Sequence, residues 1–375
     1  MKDKIRVGVI GAGQIGTHHL EGYSKIEQAD VVAVADLFPE RIETARQKFG
    51  IPDGYTDFKE LLARDDIDAV DVCVHNNKHA PIAIAALRAG KHVYCEKPMA
   101  GTFRDADDMF QAAREADRRL HIQMAFIYSA EARAAKRLIE EGALGRIYYA
   151  RSFGFRRRGR PFVDGYGSAT FVDKQIAAGG ALFDMGIYHL TQVLHLIGNP
   201  AVRTVTGATY QELDMYEDRR AFSGYSVEEM GLGWVRLEGG ISFDIEETWA
   251  VHYDGQESSK ILGSKGGLRL DPLTYFSQAG DMPFSANFDL NSADIRWHSC
   301  FPETAWADNS QRHWVGALIG HVPLLPTAEY ALNAALISEG IYLSTQAGRE
   351  LTADEIREQS RSTAIDPYTP EKIWK

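Results

Sequence analysis

Short apolar runs alternate with segments of helical periodicity through the first third of the chain. The apolar runs predict strands at residues 4–10, 30–35, 69–74, 92–95 and 121–125, and the segments between them predict helices at residues 18–25, 39–49, 60–63, 81–89 and 103–118. Strands that alternate with helices in this way are typical of a parallel sheet with helical crossovers. The pattern therefore predicts an α/β domain with a doubly wound parallel sheet over residues 1–125.

Longer alternating segments follow, and they indicate a different architecture. Helices are predicted at residues 133–141, 181–197 and 328–345, strands at residues 147–155, 201–210, 229–237, 241–251, 259–262 and 267–270, and irregular structure at residues 281–308. Strands joined by short glycine turns are typical of an antiparallel sheet. Residues 126–375 are therefore predicted to form an α+β domain with a large, mostly antiparallel sheet. Because its strands are amphipathic, one sheet face is expected to meet a partner subunit.

The overall charge and the apolar runs narrow the class of partner. The 375 residues include 41 Lys and Arg against 52 Asp and Glu, and the net charge of −11 disfavours a nucleic-acid partner. No stretch reaches the roughly 18 apolar residues of a transmembrane helix, and the first residues lack a signal-peptide pattern. Cys73, Cys95 and Cys300 share no metal-ligand spacing and are expected to be free thiols. We therefore predict a cytoplasmic protein that binds neither a membrane nor a metal.

A G-x-G-x-x-G motif stands between the first predicted strand and the first predicted helix, the context in which this pattern binds a dinucleotide. Gly11 permits the tight turn, Gly13 lets a pyrophosphate approach the backbone, and Gly16 lets the helix pack closely on the sheet. The helix N-terminus then offers N–H donors and positive partial charge to the phosphates. The motif predicts cofactor contacts at Gly11, Gly13, Gln14, Ile15 and Gly16.

The residues after the second predicted strand bear on the choice between NAD and NADP. Asp36 ends that strand about 20 residues after the motif, where an acidic residue binds the ribose hydroxyls of the adenosine half. Its carboxylate would repel a 2′-phosphate, and Leu37 next to it offers no compensating cation. Arg41 lies one helical turn further on and can approach the same site. The sequence favours NAD, with NADP as the weaker alternative.

A third motif, Glu96-Lys97-Pro98, follows the fourth predicted strand. In this motif and in the nucleotide motif, the chain resembles the Gfo/Idh/MocA oxidoreductases. Further matches to that family lie at residues 75–79, 141–145, 179–186 and 261–268. The resemblance implies a Rossmann domain, a second domain built on a large, mostly antiparallel sheet, and a homodimer or homotetramer. It also implies NAD-dependent oxidation of a secondary hydroxyl on a sugar, polyol or glycoside.

Lys97 is the first catalytic candidate because it ends a parallel strand, where ligands bind open α/β sheets. A partly desolvated ammonium has a lowered pKa, so Lys97 is expected to relay the hydroxyl proton as well as to stabilise the alkoxide. The resemblance implies that this lysine touches both the nicotinamide ribose and the substrate hydroxyl. Glu96 is expected to orient the cofactor.

A second set of catalytic candidates lies on the predicted helix at residues 181–197. The resemblance implies an Asp followed four residues later by His or Tyr, which corresponds to Asp184 and Tyr188 here. On an ideal helix these two lie roughly 40° apart, whereas His189 lies about 140° from Asp184. Tyr188 is therefore favoured as the group that faces the substrate hydroxyl, and His189 remains open if the helix is distorted.

Two segments depart from the family's usual pattern. After the third predicted strand, many relatives have Thr-Pro-Asn where this chain has His-Asn-Asn, and the cofactor candidates there are His75, Asn76, Asn77 and His79. After the fifth predicted strand, residues 124–128 lack the polar residues that relatives usually carry, so no site residue is carried over there.

An arginine-rich loop and nearby aromatic residues supply the substrate candidates. Arginines at residues 156–160 suit a carboxylate or phosphate on the substrate, but a solvated or inter-subunit loop is the favoured interpretation. The substrate candidates are Arg156, Arg158, Asp164, Tyr166 and Trp249.

Two other functions remain open for the same residues. An NAD-dependent glycosidase would oxidise a sugar hydroxyl only transiently, to allow elimination. A sensor would bind NAD without turnover, and the presence of both Lys97 and Asp184 argues against it.

Overall fold

The first sheet is parallel throughout, as predicted. The computed structural model describes residues 3–255 and 257–369. The strands of this sheet are β1 (Ile5–Ile10), β2 (Ala29–Ala35), β3 (Asp53–Tyr55), β4 (Ala69–Val72), β5 (His92–Cys95) and β6 (Leu120–Ile122). The helices between them are α1 (Gln14–Tyr23), α2 (Pro39–Phe49), α3 (Phe58–Leu62), α4 (His79–Arg88) and α5 (Phe103–Glu115). Strand β3 was not predicted, because three residues at a sheet edge carry little periodicity.

The strand order of this sheet creates a crevice for a ligand. The order is β3-β2-β1-β4-β5-β6, so the chain winds outwards in one direction from β1 and in the other from β4. Loops after β1 and β4 therefore diverge at the carboxyl ends of the strands, where open α/β sheets bind their ligands.

The second sheet is antiparallel except for one pair, so the predicted α+β class is confirmed. Its strands are β7 (Ile147–Phe155), β8 (Val202–Tyr210), β9 (Met230–Leu237), β10 (Ile241–Thr248), β11 (Lys260–Gly263), β12 (Gly267–Leu270), β13 (Leu273–Ala279), β14 (Met282–Asn287) and β15 (Leu351–Thr352). Their order is β14-β13-β12-β11-β7-β10-β9-β8-β15, and the β7–β10 pair is parallel. The remaining helices are α6 (Ala130–Glu140), α7 (Lys174–Ala177), α8 (Gly186–Leu196), α9 (Glu217–Ser223), α10 (Leu290–Cys300), α11 (Ser310–Leu318), α12 (Thr327–Ala347) and α13 (Ala353–Gln359).

Two sequence predictions for this domain were wrong. Residues 281–308, expected to be irregular, contain β14 and α10. Neither element contains a fully buried residue, so neither shows the apolar periodicity that identifies a buried element. The helix predicted at residues 181–197 begins only at Gly186.

The two domains share part of their core. Trp314 and Val315 of α11 are fully buried in the cluster that also contains Val7 and Val9 of β1. Helix α12 packs on one face of the large sheet. The other face exposes aromatic side chains, among them Tyr148 and Trp234. Across residues 3–255 and 257–369, no helix is both long and apolar enough to cross a membrane.

Candidate active site

A cleft of about 910 Å³ runs along the carboxyl ends of the parallel strands and reaches the second domain. It joins the two groups of residues that the sequence singled out separately, the nucleotide motif and the catalytic candidates. The predicted site residues that line it are Gly11, Gly13, Gln14, Ile15, Asp36, Leu37, Arg41, His75, Asn76, Glu96, Lys97, Arg156, Tyr166, Asp184 and Tyr188.

The glycine motif forms a tight turn against strand β4 and helix α1. Gly11 has φ +98°, and a Cβ there would lie 2.2 Å from the carbonyl oxygen of Cys73. A Cβ on Gly16 would lie 1.9 Å from the carbonyl oxygen of Gly11, so helix α1 packs directly on the turn. Gly13 differs, since a Cβ there would meet only Arg41 Nη1 at 3.7 Å. This open surface fits the close approach of a pyrophosphate to the backbone.

Asp36 is held rigidly at the end of β2. Its Oδ2 accepts from Ala12 N at 2.7 Å, and its Oδ1 accepts from Phe38 N at 2.9 Å. Arg41 lies on the same side of the cleft, with Nη1 3.9 Å from Asp36 Oδ1 and its guanidinium 4.4 Å from the centre of the Phe38 ring. The carboxylate therefore stands where a ribose would bind, with one cation close by.

A buried network of hydrogen bonds joins Glu96 to His19 and Asp71. His19 Nε2 is 2.9 Å from Glu96 Oε1, and His19 Nδ1 is 2.9 Å from Asp71 Oδ2. Burial opposes charge on this histidine, but Asp71 and Cys73 hold the pKa of His19 well above its ordinary value. Glu96 Oε2 in turn accepts from Lys97 N at 2.9 Å, so this network fixes the backbone on which Lys97 stands.

The same cluster bears on the prediction that no metal binds. In the described part of the chain, the ligand atoms of His19, Asp71 and Cys73 lie within 4.8 Å of one another. Cys73 Sγ is 3.2 Å from His19 Nδ1 and 3.2 Å from Asp71 Oδ1, so hydrogen bonds within the group account for this proximity.

Lys97 and Asp184 form a largely buried ion pair in the wall of the cleft. Lys97 Nζ lies 2.8 Å from Asp184 Oδ1, and the side chains are 12% and 18% exposed. Burial alone would lower the pKa of Lys97, but the adjacent carboxylate of Asp184 raises it above its ordinary value. The expected lowering of the Lys97 pKa was therefore wrong, because the sequence did not show its counter-ion. The pKa of Asp184 is lowered, since Lys97 outweighs the effect of its burial.

The structure brings Tyr188, rather than His189, to the cleft. Lys97 Nζ lies 4.8 Å from the centre of the Tyr188 ring, and Phe126 stacks on that ring at 5.0 Å between centroids. Burial raises the pKa of Tyr188 to about 12, so its phenol keeps its proton. His189 points behind the cleft, and its Nδ1 is 3.0 Å from Glu247 Oε2.

Residues 5–124 match the family model described as the oxidoreductase family with an NAD-binding Rossmann fold, and residues 132–269 match the Gfo/Idh/MocA C-terminal domain. Myo-inositol 2-dehydrogenase of Thermotoga maritima is 30% identical over 71% of this chain and 75% of its own length. The chain belongs to the Gfo/Idh/MocA oxidoreductase family. The predicted family, and with it the prediction of an oxidoreductase, is confirmed.

Two other proteins are similar to this chain, one in sequence and one in fold. D-glucoside 3-dehydrogenase of Escherichia coli (strain K12) is 29% identical over 73% of this chain and 79% of its own length. Levoglucosan dehydrogenase, solved in complex with NADH, has the same fold, with a TM-score of 0.77, 22% identity and coverage of 93% of this chain and 99% of that one.

The turn that carries Asp184 explains why the predicted helix starts late. Glu228, a buried residue, accepts from Gly180 N at 2.8 Å and from Leu182 N at 2.9 Å. A side chain from outside the segment therefore binds these N–H groups, and the segment does not begin as a regular helix. Gly186 N then donates to the carbonyl of Ala181, five residues earlier, so the ideal-helix angles do not apply to Asp184.

Several predicted site residues of this Gfo/Idh/MocA chain lie outside the cleft. Asn77 binds the carbonyl of Gln175, and the His79 ring binds the carbonyls of Val74 and Pro98. Both side chains are buried, so they hold the backbone. Gly16 packs on the nucleotide turn and likewise does not line the cleft.

Three of the substrate candidates also lie away from the cleft. Arg158 Nε donates to Asp164 Oδ1 at 3.1 Å, and the Asp164 side chain, which is 4% exposed, also accepts from Arg160 N and Nε. Trp249 is fully buried, and its Nε1 donates to Asp184 Oδ2 at 3.1 Å. Trp249 therefore positions the carboxylate. The arginines of this loop have different surroundings. Arg160 is buried in a network of hydrogen bonds, whereas Arg156 lines the cleft.

The sequence missed other lining residues. Thr17, His18 and Glu21 follow the glycine motif on helix α1, and their place beside that motif was the available signal. Eight more lie next to or close to predicted site residues in the sequence: Ile10, Ala35, Phe38, Cys73, Val74, Lys78, Gly167 and Ser168. The remainder come from segments that only the fold brings to the cleft: Thr56, Phe58, Ile82, Pro161, Phe171 and Pro367.

Proposed function

We propose that this chain is a dehydrogenase that transfers a hydride between NAD and a secondary hydroxyl or ketone of a sugar, polyol or glycoside. The observation that carries the proposal is the Lys97–Asp184 pair, 2.8 Å apart, in the same cleft as the nucleotide motif. The names of the relatives, a glucoside dehydrogenase and an inositol dehydrogenase, support this substrate class. They also favour net oxidation over transient oxidation in a glycosidase or binding without turnover.

The cofactor would lie between the glycine turn and Lys97. Gly13 leaves room for the pyrophosphate, Asp36 would bind the adenosine ribose, and Asn76 lines the same cleft. NAD, when bound, supplies the hydride acceptor at the reacting end.

Lys97 and the residues around it would each have a different role at the substrate oxygen. Lys97 remains an ammonium because Asp184 raises its pKa, so its role is to stabilise the charge of the alkoxide that develops as the hydroxyl proton leaves and from which the hydride is then transferred. Tyr188, a protonated phenol, donates a second hydrogen bond to that oxygen. Because Asp184 is ionised beside Lys97, we assign the acceptance of the hydroxyl proton to Asp184.

Arg156 is the substrate candidate whose position fits best. Its Nη1 is 3.8 Å from Asp184 Oδ2 and hydrogen-bonds the Tyr166 hydroxyl. Arginine and tyrosine are suited to binding sugar hydroxyls at the entrance to the reacting centre.

NAD is the proposed nucleotide, rather than NADP. The Asp36 carboxylate would repel a 2′-phosphate, and its two backbone hydrogen bonds prevent it from turning away. Arg41 at 3.9 Å reduces this repulsion without removing it, so we expect a preference and not an absolute exclusion.

We also propose a homodimer or homotetramer in the cytoplasm. Tyr148 and Trp234, 42% and 40% exposed, lie on the uncovered face of the large sheet, which is the proposed subunit interface. The cysteines are free, and Cys73 and Cys95 are buried, as suits a reducing compartment.

The test of the proposed function is NADH formation from a panel of sugars, polyols and glycosides. At least one neutral carbohydrate should reduce NAD with release of the corresponding ketone. Cleavage of a glycoside without net NADH would favour the glycosidase alternative, and NAD binding without any turnover across the panel would favour the sensor.

A further inference from the structure

Residues 361–369, here called the strap, leave helix α13 and cross back over the first domain. Thr363 N donates to Asp105 Oδ2 at 2.9 Å, and Thr363 Oγ1 donates to Asn77 Oδ1 at 3.0 Å. Ile365 N donates to the carbonyl of Asn77 at 3.0 Å. Asn77, which the sequence suggested as a cofactor ligand, is thus the central anchor of the strap.

The far part of the strap is attached to helix α3. The Tyr368 hydroxyl donates to Asp57 Oδ1 at 2.5 Å, and its ring stacks on Phe58 at 5.8 Å between centroids. Lys78 Nζ donates to the carbonyl of Thr369 at 2.5 Å. The strap therefore has anchors on both sides of its middle residues.

Between these anchors, Pro367 lines the cleft together with Thr56 and Phe58. Thr56 directly follows β3, and β3 pairs with β2, where Asp36 N donates to the carbonyl of Tyr55 at 3.1 Å. Pro367 therefore lies at the end of the cleft next to the proposed ribose ligand, far from the Lys97–Asp184 pair along the nucleotide path.

We propose that the strap is part of the dinucleotide site and forms the wall against the adenine ring. The ring would pack against Pro367 in the part of the cleft that Thr56 and Phe58 also line. A flat apolar ring gains affinity when one of its faces is covered, since more of its surface leaves water. This inference rests on the nucleotide-binding part of the proposed function.

The experiment compares three ligands by calorimetry on the full chain: NAD, AMP and nicotinamide mononucleotide. Two variants weaken the wall, Pro367→Gly at the contact itself and Tyr368→Ala at its anchor. Each should raise the Kd of NAD and the Kd of AMP by a common factor of about 3 to 30, as expected for the loss of an apolar contact or one hydrogen bond. The Kd of nicotinamide mononucleotide should not change. Tyr253→Ala, at another tyrosine that is 60% exposed, is the matched control and should alter none of them.

Two outcomes would overturn the proposal. One is an unchanged Kd of NAD in both variants, and the other is an equal loss of affinity for AMP and nicotinamide mononucleotide, which would mean that the strap supports the whole fold. If Tyr368→Ala does not fold, Pro367→Gly decides alone, because it keeps every anchor. Failure of the parent protein to bind NAD would instead contradict the nucleotide-binding part of the proposed function.

Discussion

Asp184→Asn removes the counter-ion of Lys97 while keeping nearly the same shape. Lys97 is 12% exposed and its Nζ lies 2.8 Å from Asp184 Oδ1. The variant therefore leaves a largely buried ammonium with two uncharged acceptors, the new amide oxygen and the backbone carbonyl of residue 184 at 3.2 Å. Removing one partner of a buried pair typically destabilises a protein by about 3 to 5 kcal/mol. We expect a loss of that size at pH 7.

The free energy of unfolding that Asp184→Asn can lose has an upper limit, and that limit depends on pH. Lys97 in the variant can release its proton, and for a lysine of ordinary pKa this costs about 5 kcal/mol at pH 7 but only about 2 kcal/mol at pH 9. In the parent, the pKa of Lys97 is raised above its unfolded value, so its contribution to stability is fully present below the unfolded pKa and constant from pH 7 to 9. The destabilisation caused by Asp184→Asn should therefore shrink as the pH rises.

The assay is urea unfolding followed by circular dichroism at pH 7 and pH 9. Lys97→Met is the matched control, because it removes the charge that needs a partner. The double variant Lys97→Met/Asp184→Asn should be more stable than Asp184→Asn alone at pH 7, and its stability relative to the parent should not depend on pH in this range. An equal destabilisation by Asp184→Asn at both pH values would mean that the unpaired Lys97 charge is not its cause.

Three further predictions concern the nucleotide, the phenol and the assembly. The parent should bind NAD at least about tenfold more tightly than NADP, which is the scale of a lost hydrogen bond plus charge repulsion. The double variant Asp36→Ser/Leu37→Arg should reverse this preference, and equal Kd values of the parent for NAD and NADP would contradict it. Tyr188→Phe should lower kcat more than His189→Ala does, because only the tyrosine lines the cleft. The opposite order in steady-state kinetics would place the histidine, and not the tyrosine, at the substrate oxygen. Light scattering at micromolar concentration should give a dimer or tetramer, and Trp234→Glu on the exposed sheet face should shift it towards the monomer; a monomeric parent would rule the interface out.

Much of the fold could be predicted because buried strands and amphipathic helices carry strong local patterns. Helix α2 was predicted with its observed bounds, Pro39–Phe49, and so were β5 and β7. The missed elements have weak patterns for physical reasons. Strand β3 has three residues at a sheet edge, and β14 is exposed along most of its length, so neither alternates between apolar and polar positions.

The site was predictable only where its residues lie in local motifs. The glycine turn, Asp36 and Lys97 each end a strand, and a strand end is visible in the sequence. The carboxylate that raises the Lys97 pKa lies 87 residues away in sequence, and no local pattern links the two. Trp249 looked like a sugar contact by residue type alone, but the fold buries it against Asp184.

Isotope transfer tests whether this chain moves a hydride from a carbinol carbon to NAD with help from Lys97. A substrate found in the carbohydrate panel is prepared with deuterium on the carbon that is oxidised, and the NADH formed is analysed by mass spectrometry. We expect one deuterium in the NADH, and a turnover number for Lys97→Ala that is lower by roughly 10² to 10⁴ with a much smaller change in NAD affinity. NADH without deuterium, or near-parental turnover by Lys97→Ala, would rule out hydride transfer assisted by Lys97.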